Sequence, residues 1–270
     1  MINNKYFAID CHCHIYPEKI ASKAVGGTDA FYGAHSVGKG TIEDMLSCAD
    51  KAGIDKALVQ SVATTPHQVA SINRFIADEV ARFPDRLIGF GTLHPASEDI
   101  KGDLDHLLSL GLMGVKLHPD IQDFKIDDYR ALSIYEACEA RGVPILVHAG
   151  DSRYDRSNPN RLLPILRIYT RLNIIAAHLG GYSIWEEATE ALAGMPNLYV
   201  DCSSSMPFLT DEKIKEYIRR YGYDRVLFGT DYPMWSAVCE VERLLSLKLP
   251  EDAYEKIFSG NLMKLLSLKK

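Results

Sequence analysis

Eight short, β-branched apolar runs recur along this chain, each separated from the next by a longer stretch, most of them amphipathic. The runs are Tyr6–Asp10, Ala57–Val62, Leu87–Thr92, Gly114–His118, Pro144–His148, Ile174–His178, Leu198–Asp201 and Val226–Asp231. Strands that alternate with helices pair in parallel, because parallel neighbours need long crossover connections. At eight such units the sheet can close on itself as an α/β (β/α)8 TIM barrel, with a doubly wound open sheet as the rival. The 270 residues suit one barrel, a fold that commonly runs to about 250 residues. No internal repeat, low-complexity tract or linker divides them, so one domain over residues 1–270 is expected.

The helices carry their own signals. Thr41-Ile42-Glu43-Asp44 has the form of a capping box and opens a helix that runs to Lys51. His67–Phe83 carries Val69, Ile72, Phe75, Ile76 and Val80 at spacings of three and four. Asp127–Arg141 ends on a basic turn followed by Gly142. Further helices fit Arg161–Arg171, Ser183–Ala193, Asp211–Tyr221, Cys239–Leu247 and Glu251–Leu268. Pro17–Gly40, rich in glycine and small residues, reads as irregular. It follows the first strand, where a barrel places an active-site loop or lid.

Composition narrows the function classes. Thirty basic against 36 acidic residues leave a net charge of −6, which argues against a nucleic-acid-binding surface. No apolar run reaches the ~18 residues of a membrane span. The N-terminus lacks the apolar stretch and cleavage site of a signal peptide. Six cysteines are too sparse for a disulfide scaffold. The expectation is a cytoplasmic protein with reduced thiols, with neither nucleic acid nor membrane as partner and a homo-oligomer left open.

Six of the nine histidines, His12, His14, His94, His118, His148 and His178, fall at or just past the C-terminal end of a candidate strand. In a barrel those ends converge on one face, where an active site would lie. Imidazoles from several strands, with carboxylates beside them, are what a metal site needs. Asp10-Cys11-His12-Cys13-His14 is the sharpest local signal. Strand alternation sends His12 and His14 into the mouth and Cys11 and Cys13 the other way; polar caps over the barrel are the plainer use of such a pair.

Lys116 and His118 share an inward parity in Gly114-Val115-Lys116-Leu117-His118. A lysine inside a barrel is costly unless it is ion-paired, carbamylated or catalytic. His148 and His178 are each followed closely by glycine, which permits close approach of backbone or ligand. Either one alone would more commonly be a satisfied core histidine. Asp231, in Phe-Gly-Thr-Asp-Tyr-Pro, can bind a metal and exchange a proton. Asp201 lacks comparable glycine context and reads as structural, or as support behind the ligands. In the loop Gly150–Asn160, Arg153 and Arg156 either pair with a substrate carboxylate or stay solvated. Tyr16, Phe31, Tyr32, Tyr232 and Trp235 are candidate aromatic walls or simple packing residues.

Together, His12-x-His14, Lys116, His148, His178 and Asp231 resemble the amidohydrolase superfamily. The segments IGFGTLHP, GVKLHP, ILVHAG, AAHLGG, VLFGTDYP and IFSGNLMKLL resemble its amidohydrolase-2 branch across nearly the whole chain. The resemblance implies a divalent metal, usually zinc, held by His12, His14, His148 and Asp231. It implies one tight site, with Lys116 and His178 as ligands of a second, or His178 as a catalytic acid/base. Asp231 would exchange the proton of a metal-activated water that attacks an amide, ester or lactone of a small-molecule substrate, one that can bear a carboxylate. The same branch contains non-oxidative decarboxylases of aromatic or unsaturated acids, the alternative reading. A TatD-type deoxyribonuclease is a further rival, but its mid-barrel Gly-Glu-Ile-Gly-Leu-Asp segment is replaced here by GVKLHP. A non-catalytic metal-binding barrel is the last.

Overall fold

The apolar runs become eight strands, each hydrogen-bonded in parallel to the next in chain order, in a computed structural model that describes residues 1–269. They are β1 (Ile9–His14), β2 (Lys56–Gln60), β3 (Leu87–Thr92), β4 (Gly114–Leu117), β5 (Ile145–Val147), β6 (Ile174–Ala176), β7 (Leu198–Asp201) and β8 (Val226–Leu227). The ring closes between the last strand and the first. Cys11 donates its N–H to the Phe228 carbonyl (2.9 Å), and His14 donates to that of Tyr232 (2.7 Å). With both edges used, the sheet is a closed (β/α)8 barrel and not an open doubly wound sheet.

The crossovers carry α1 (Glu18–Tyr32), α2 (Ile42–Ala52), α3 (Val69–Arg82), α4 (Ile100–Ser109), α5 (Pro119–Gln122), α6 (Tyr129–Arg141), α7 (Pro159–Ile168), α8 (Trp185–Leu192) and α9 (Asp211–Tyr221). After β8 come α10 (Ala237–Ser246), α11 (Glu251–Glu255), one π turn (Lys256–Gly260) and α12 (Asn261–Leu265). Thr41 caps α2 by accepting the Asp44 N–H, and Gly142 ends α6 at a φ of 65°. These are the signals the sequence displays at those positions.

Side-chain alternation divides the apolar residues of the barrel into two sets. Ile9, Cys11, Leu58, Phe90, Leu146, Ile175 and Leu227 fill the interior, joined by Leu262, Met263 and Leu266 from the chain's last turns. Val59, Val115, Leu117, Ile145, Val147 and Val200 belong to the surrounding cluster that includes the helices. The barrel is therefore a packed core whose rim alone is available for chemistry.

Three expectations are corrected. Most of Pro17–Gly40 is helical: α1 takes up Glu18–Tyr32, with Gly26 and Gly27 near its middle. The helix buries only Ala21, so it lacks the wide apolar stripe that marks a packed helix in sequence. Second, α4 went unrecognised, because Gly102 in its first turn breaks the pattern set by Ile100, Leu104 and Leu107. Third, β1 is displaced towards the C-terminus and bulged. Asp10 pairs with Ala57 and Cys13 with Val59, so three residue steps oppose two. The extra residue breaks strict alternation. Cys11 consequently lies in the interior cluster, and only Cys13 packs on the outer side.

Candidate active site

The closed seam places the ends of β1 and β8 side by side, and their donor atoms converge. His12 Nε2 lies 3.2 Å from His14 Nε2 and 3.3 Å from Asp231 Oδ1, while His14 Nε2 is 3.7 Å from the same oxygen. Nitrogens that share a divalent ion at ~2.0–2.1 Å sit roughly 3–3.5 Å apart, so this group fits a cation. Charge agrees with geometry. Burial holds the His14 imidazole well below its usual pKa, leaving a lone pair to give. Burial alone would raise the Asp231 carboxyl, but His12, His178 and His14 outweigh it and hold it well below the ordinary range.

Each member is aimed from behind. Asp201 Oδ2 lies 2.9 Å from His12 Nδ1, which leaves Nε2 to face the mouth. Its Oδ1 accepts the main-chain N–H of His178 (3.1 Å) and of Ser203 (3.0 Å). Burial pushes that carboxyl up, yet the adjacent His12 and His178 bring it down to about 2. Asp10 accepts the N–H groups of His12 (3.1 Å) and Thr230 (3.0 Å), tying β1 to the segment that carries Asp231. Trp235 donates to Ser204 (2.8 Å), which donates to Asp231 Oδ2 (2.6 Å).

Lys116 is fully buried, with Nζ 3.0 Å from His12 Nε2. Burial lowers its pKa to about 8 against the pull of Asp231 and Asp201. His178 stacks beside His12, with ring centroids 5.3 Å apart, and directs Nε2 at His148 Nδ1 (3.0 Å). Its pKa falls to about 4, mainly by burial. His148 does not join the convergent group of His12, His14 and Asp231; it forms a second one with His118 and Asp120. The His118 and His148 rings lie parallel with centroids 4.0 Å apart. Sequence reasoning gave neither His118 nor Asp120 a role, although His118 shares the strand-end placement.

Other expected residues lie elsewhere. His94 turns back to accept the N–H of Ala96 and does not line the cavity. Arg153 is held by Asp151 and Arg156 by Asp123, and neither lines the cavity. Acidic partners within the βα loops claim both guanidiniums. Lys19 and Lys23 of α1 take the rim instead, unnoticed while that segment read as a loop.

The cavity above the convergent group encloses about 860 Å³. His12, His14, Lys116, His178 and Asp231 line it, together with Tyr16, Phe31, Tyr32, Phe75, Phe208 and Trp235. Tyr232, the remaining candidate wall, packs beneath it, donating to Asp44 (2.8 Å) and accepting from the Gly40 N–H (3.0 Å). Among the described residues no helix is long and apolar enough to cross a membrane.

Comparison with known proteins adds a family and a set of neighbours. A family model described as amidohydrolase matches residues 9–268. The 2-amino-3-carboxymuconate-6-semialdehyde decarboxylase of Dictyostelium discoideum is 24% identical over an alignment covering 73% of this chain and 66% of that one. The chain thus spans just under two thirds of that relative's length. Among solved structures, an uncharacterised TIM-barrel protein of Bordetella bronchiseptica matches with a TM-score of 0.81 at 22% identity, covering 96% of this chain and 98% of the other. The 5-carboxyvanillate decarboxylase of Sphingomonas paucimobilis matches at 0.74 and 16%, covering 98% and 100%. The dihydroxybenzoic acid decarboxylase of Polaromonas, solved with manganese and 2-nitroresorcinol, matches at 0.75 and 19%, covering 98% of each chain. At these identities the structural likeness is one of fold.

Proposed function

Since the chain belongs to the amidohydrolase family, we propose that it is a metal-dependent, non-oxidative decarboxylase of a small aromatic or unsaturated carboxylic acid. One observation carries this reading: the convergent His12, His14 and Asp231 group lies in a cavity of about 860 Å³ walled by Phe31, Tyr32, Phe75, Phe208 and Trp235. A one-ring acid fits such a space, its flat faces against the aromatic walls. The decarboxylases among its relatives support this reading over the hydrolysis of an amide, ester or lactone.

Decarboxylation breaks the bond between the carboxyl carbon and its neighbour, which keeps the electron pair and must take up a proton. A divalent cation, when bound by His12, His14 and Asp231, would draw electron density from the acid's oxygens. Two imidazoles and a carboxylate suit zinc or manganese, and a neighbour with manganese favours testing both. The protein's own residues do the rest. The aromatic walls orient the ring and keep bulk water from the reacting carbon. Asp231 stays anionic, aimed through Ser204 and Trp235. His178, whose pKa burial lowers to about 4, is neutral near pH 7; stacked beside His12 with Nε2 towards His148, it is placed to relay a proton to carbon. Lys116 places a cationic group beside the same point.

The test is release of carbon dioxide from a panel of hydroxybenzoates and unsaturated dicarboxylic acids, with protein loaded with manganese or with zinc. Turnover of at least one acid is expected. Cleavage of esters or lactones with no carbon dioxide release would overturn the proposal in favour of hydrolysis.

A further inference from the structure

Tyr32 stands at the C-terminal end of α1, lines the cavity, and reaches the histidine cluster with its hydroxyl. His118 fixes the direction of that hydroxyl. Its Nδ1 accepts the N–H of Ile121 (3.3 Å), so the lone pair is on Nδ1 and the ring proton on Nε2. Nε2 lies 2.8 Å from Tyr32 Oη, so His118 donates and the tyrosine oxygen accepts. The hydrogen of Tyr32 is thereby turned away from His118. Among the described residues its other neighbour within reach is His148 Nε2, at 3.5 Å, where a hydrogen bond is weak. A hydroxyl in this position is a donor with a strong acceptor still to find.

The side chain is braced from the opposite side. The Arg153 guanidinium lies over the rings of Phe31 and Tyr32, 5.1 and 5.3 Å from their centroids, and donates to the Phe31 carbonyl (2.6 Å). The buried Asp151 carboxylate grips that guanidinium through two bonds of 3.0 and 2.7 Å. Arg153, for which the sequence leaves open a substrate carboxylate or solvent as partner, here holds the residue that faces the cavity.

We propose that Tyr32 is a specificity-determining residue whose O–H binds a phenolic or enolic oxygen carried beside the carboxylate of the substrate. The site thereby selects oxygen-substituted acids over their unsubstituted counterparts. The substrate class rests on the decarboxylase reading; the direction of the hydroxyl does not.

The experiment is calorimetric titration of the full-length, manganese-loaded protein with 2-nitroresorcinol and with nitrobenzene, which share a nitro group and differ in two hydroxyls. Wild-type protein should prefer 2-nitroresorcinol at least about tenfold, in line with a hydrogen bond retained in a partly dry site. Tyr32→Phe should lose most of that preference while its affinity for nitrobenzene stays unchanged. A Tyr32→Phe variant that keeps the full preference overturns the proposal, and so does a wild-type protein that has none. A preference that depends on Tyr32, in a protein that releases no carbon dioxide from any acid, would sink the decarboxylase reading and leave the role of Tyr32 standing.

Discussion

Asp201 Oδ2 lies 2.9 Å from His12 Nδ1, and both side chains are buried. This carboxylate settles which imidazole nitrogen faces the mouth, so it governs the site without touching what binds there. Asp201→Asn should weaken metal binding by about 10–100-fold, the usual effect of losing a partner behind a ligating histidine. Titration with manganese, followed by equilibrium dialysis, would measure it. Unchanged affinity would mean that His12 is oriented by packing alone.

Asp231 contributes charge where His12 and His14 converge, and its side chain is only slightly exposed. Asp231→Asn should lower turnover by at least about 100-fold, within the range expected for removing a positioned proton-transfer group. Its circular dichroism spectrum should stay native. A fully active variant would remove Asp231 from the chemistry.

Glu240 on α10 is buried, and its Oε2 has no hydrogen-bond partner. Burial, with the negative charges of Asp10 and Asp231 against the weaker pull of Arg243, raises its pKa to about 8 from an ordinary 4.5. Between those values the folded protein holds a proton that the unfolded chain has released, so this group lowers stability as pH rises. Glu240→Gln removes the effect. Melting of the metal-free proteins at pH 5 and pH 8 should show the variant gaining several degrees on the wild type at the higher pH. An equal difference at both would contradict the assignment.

Gly114 is the opening residue of β4 and sits against the Phe90 ring, where an added Cβ would overlap the ring atoms. Overpacking of this kind typically costs about 1–3 kcal/mol. Gly114→Ala should lose that much in chemical denaturation, and adding Phe90→Leu should recover part of it. Full stability in the single variant would show that the barrel interior yields more readily than its packing implies.

The barrel was legible because each strand is an apolar run bounded by a helix, and the convergence of His12, His14 and Asp231 because all three stand where strands end. What was lost has physical causes. The bulge between Asp10 and Cys13 puts Cys11 and Cys13 on opposite sides of the sheet, and alternation cannot register one extra residue. Helix α1 covers the cavity while burying little of itself, so its pattern resembled that of a loop. Arg153 looked free because a sequence does not reveal that Asp151, two residues away, has already taken its guanidinium. His148 sits at the predicted strand end, and its partners there, the rings of His178 and His118, are set by tertiary packing that a sequence does not display.

His12 and His14 belong to the first strand and Asp231 follows the last, across the seam that Cys11 and His14 stitch to Phe228 and Tyr232. An ion gripped by all three would fasten the polypeptide into a hoop enclosing everything from the first strand to the end of the last. Closing so long a loop removes much of the freedom of an unfolded chain. The residues that serve chemistry would then also be the buckle of the barrel.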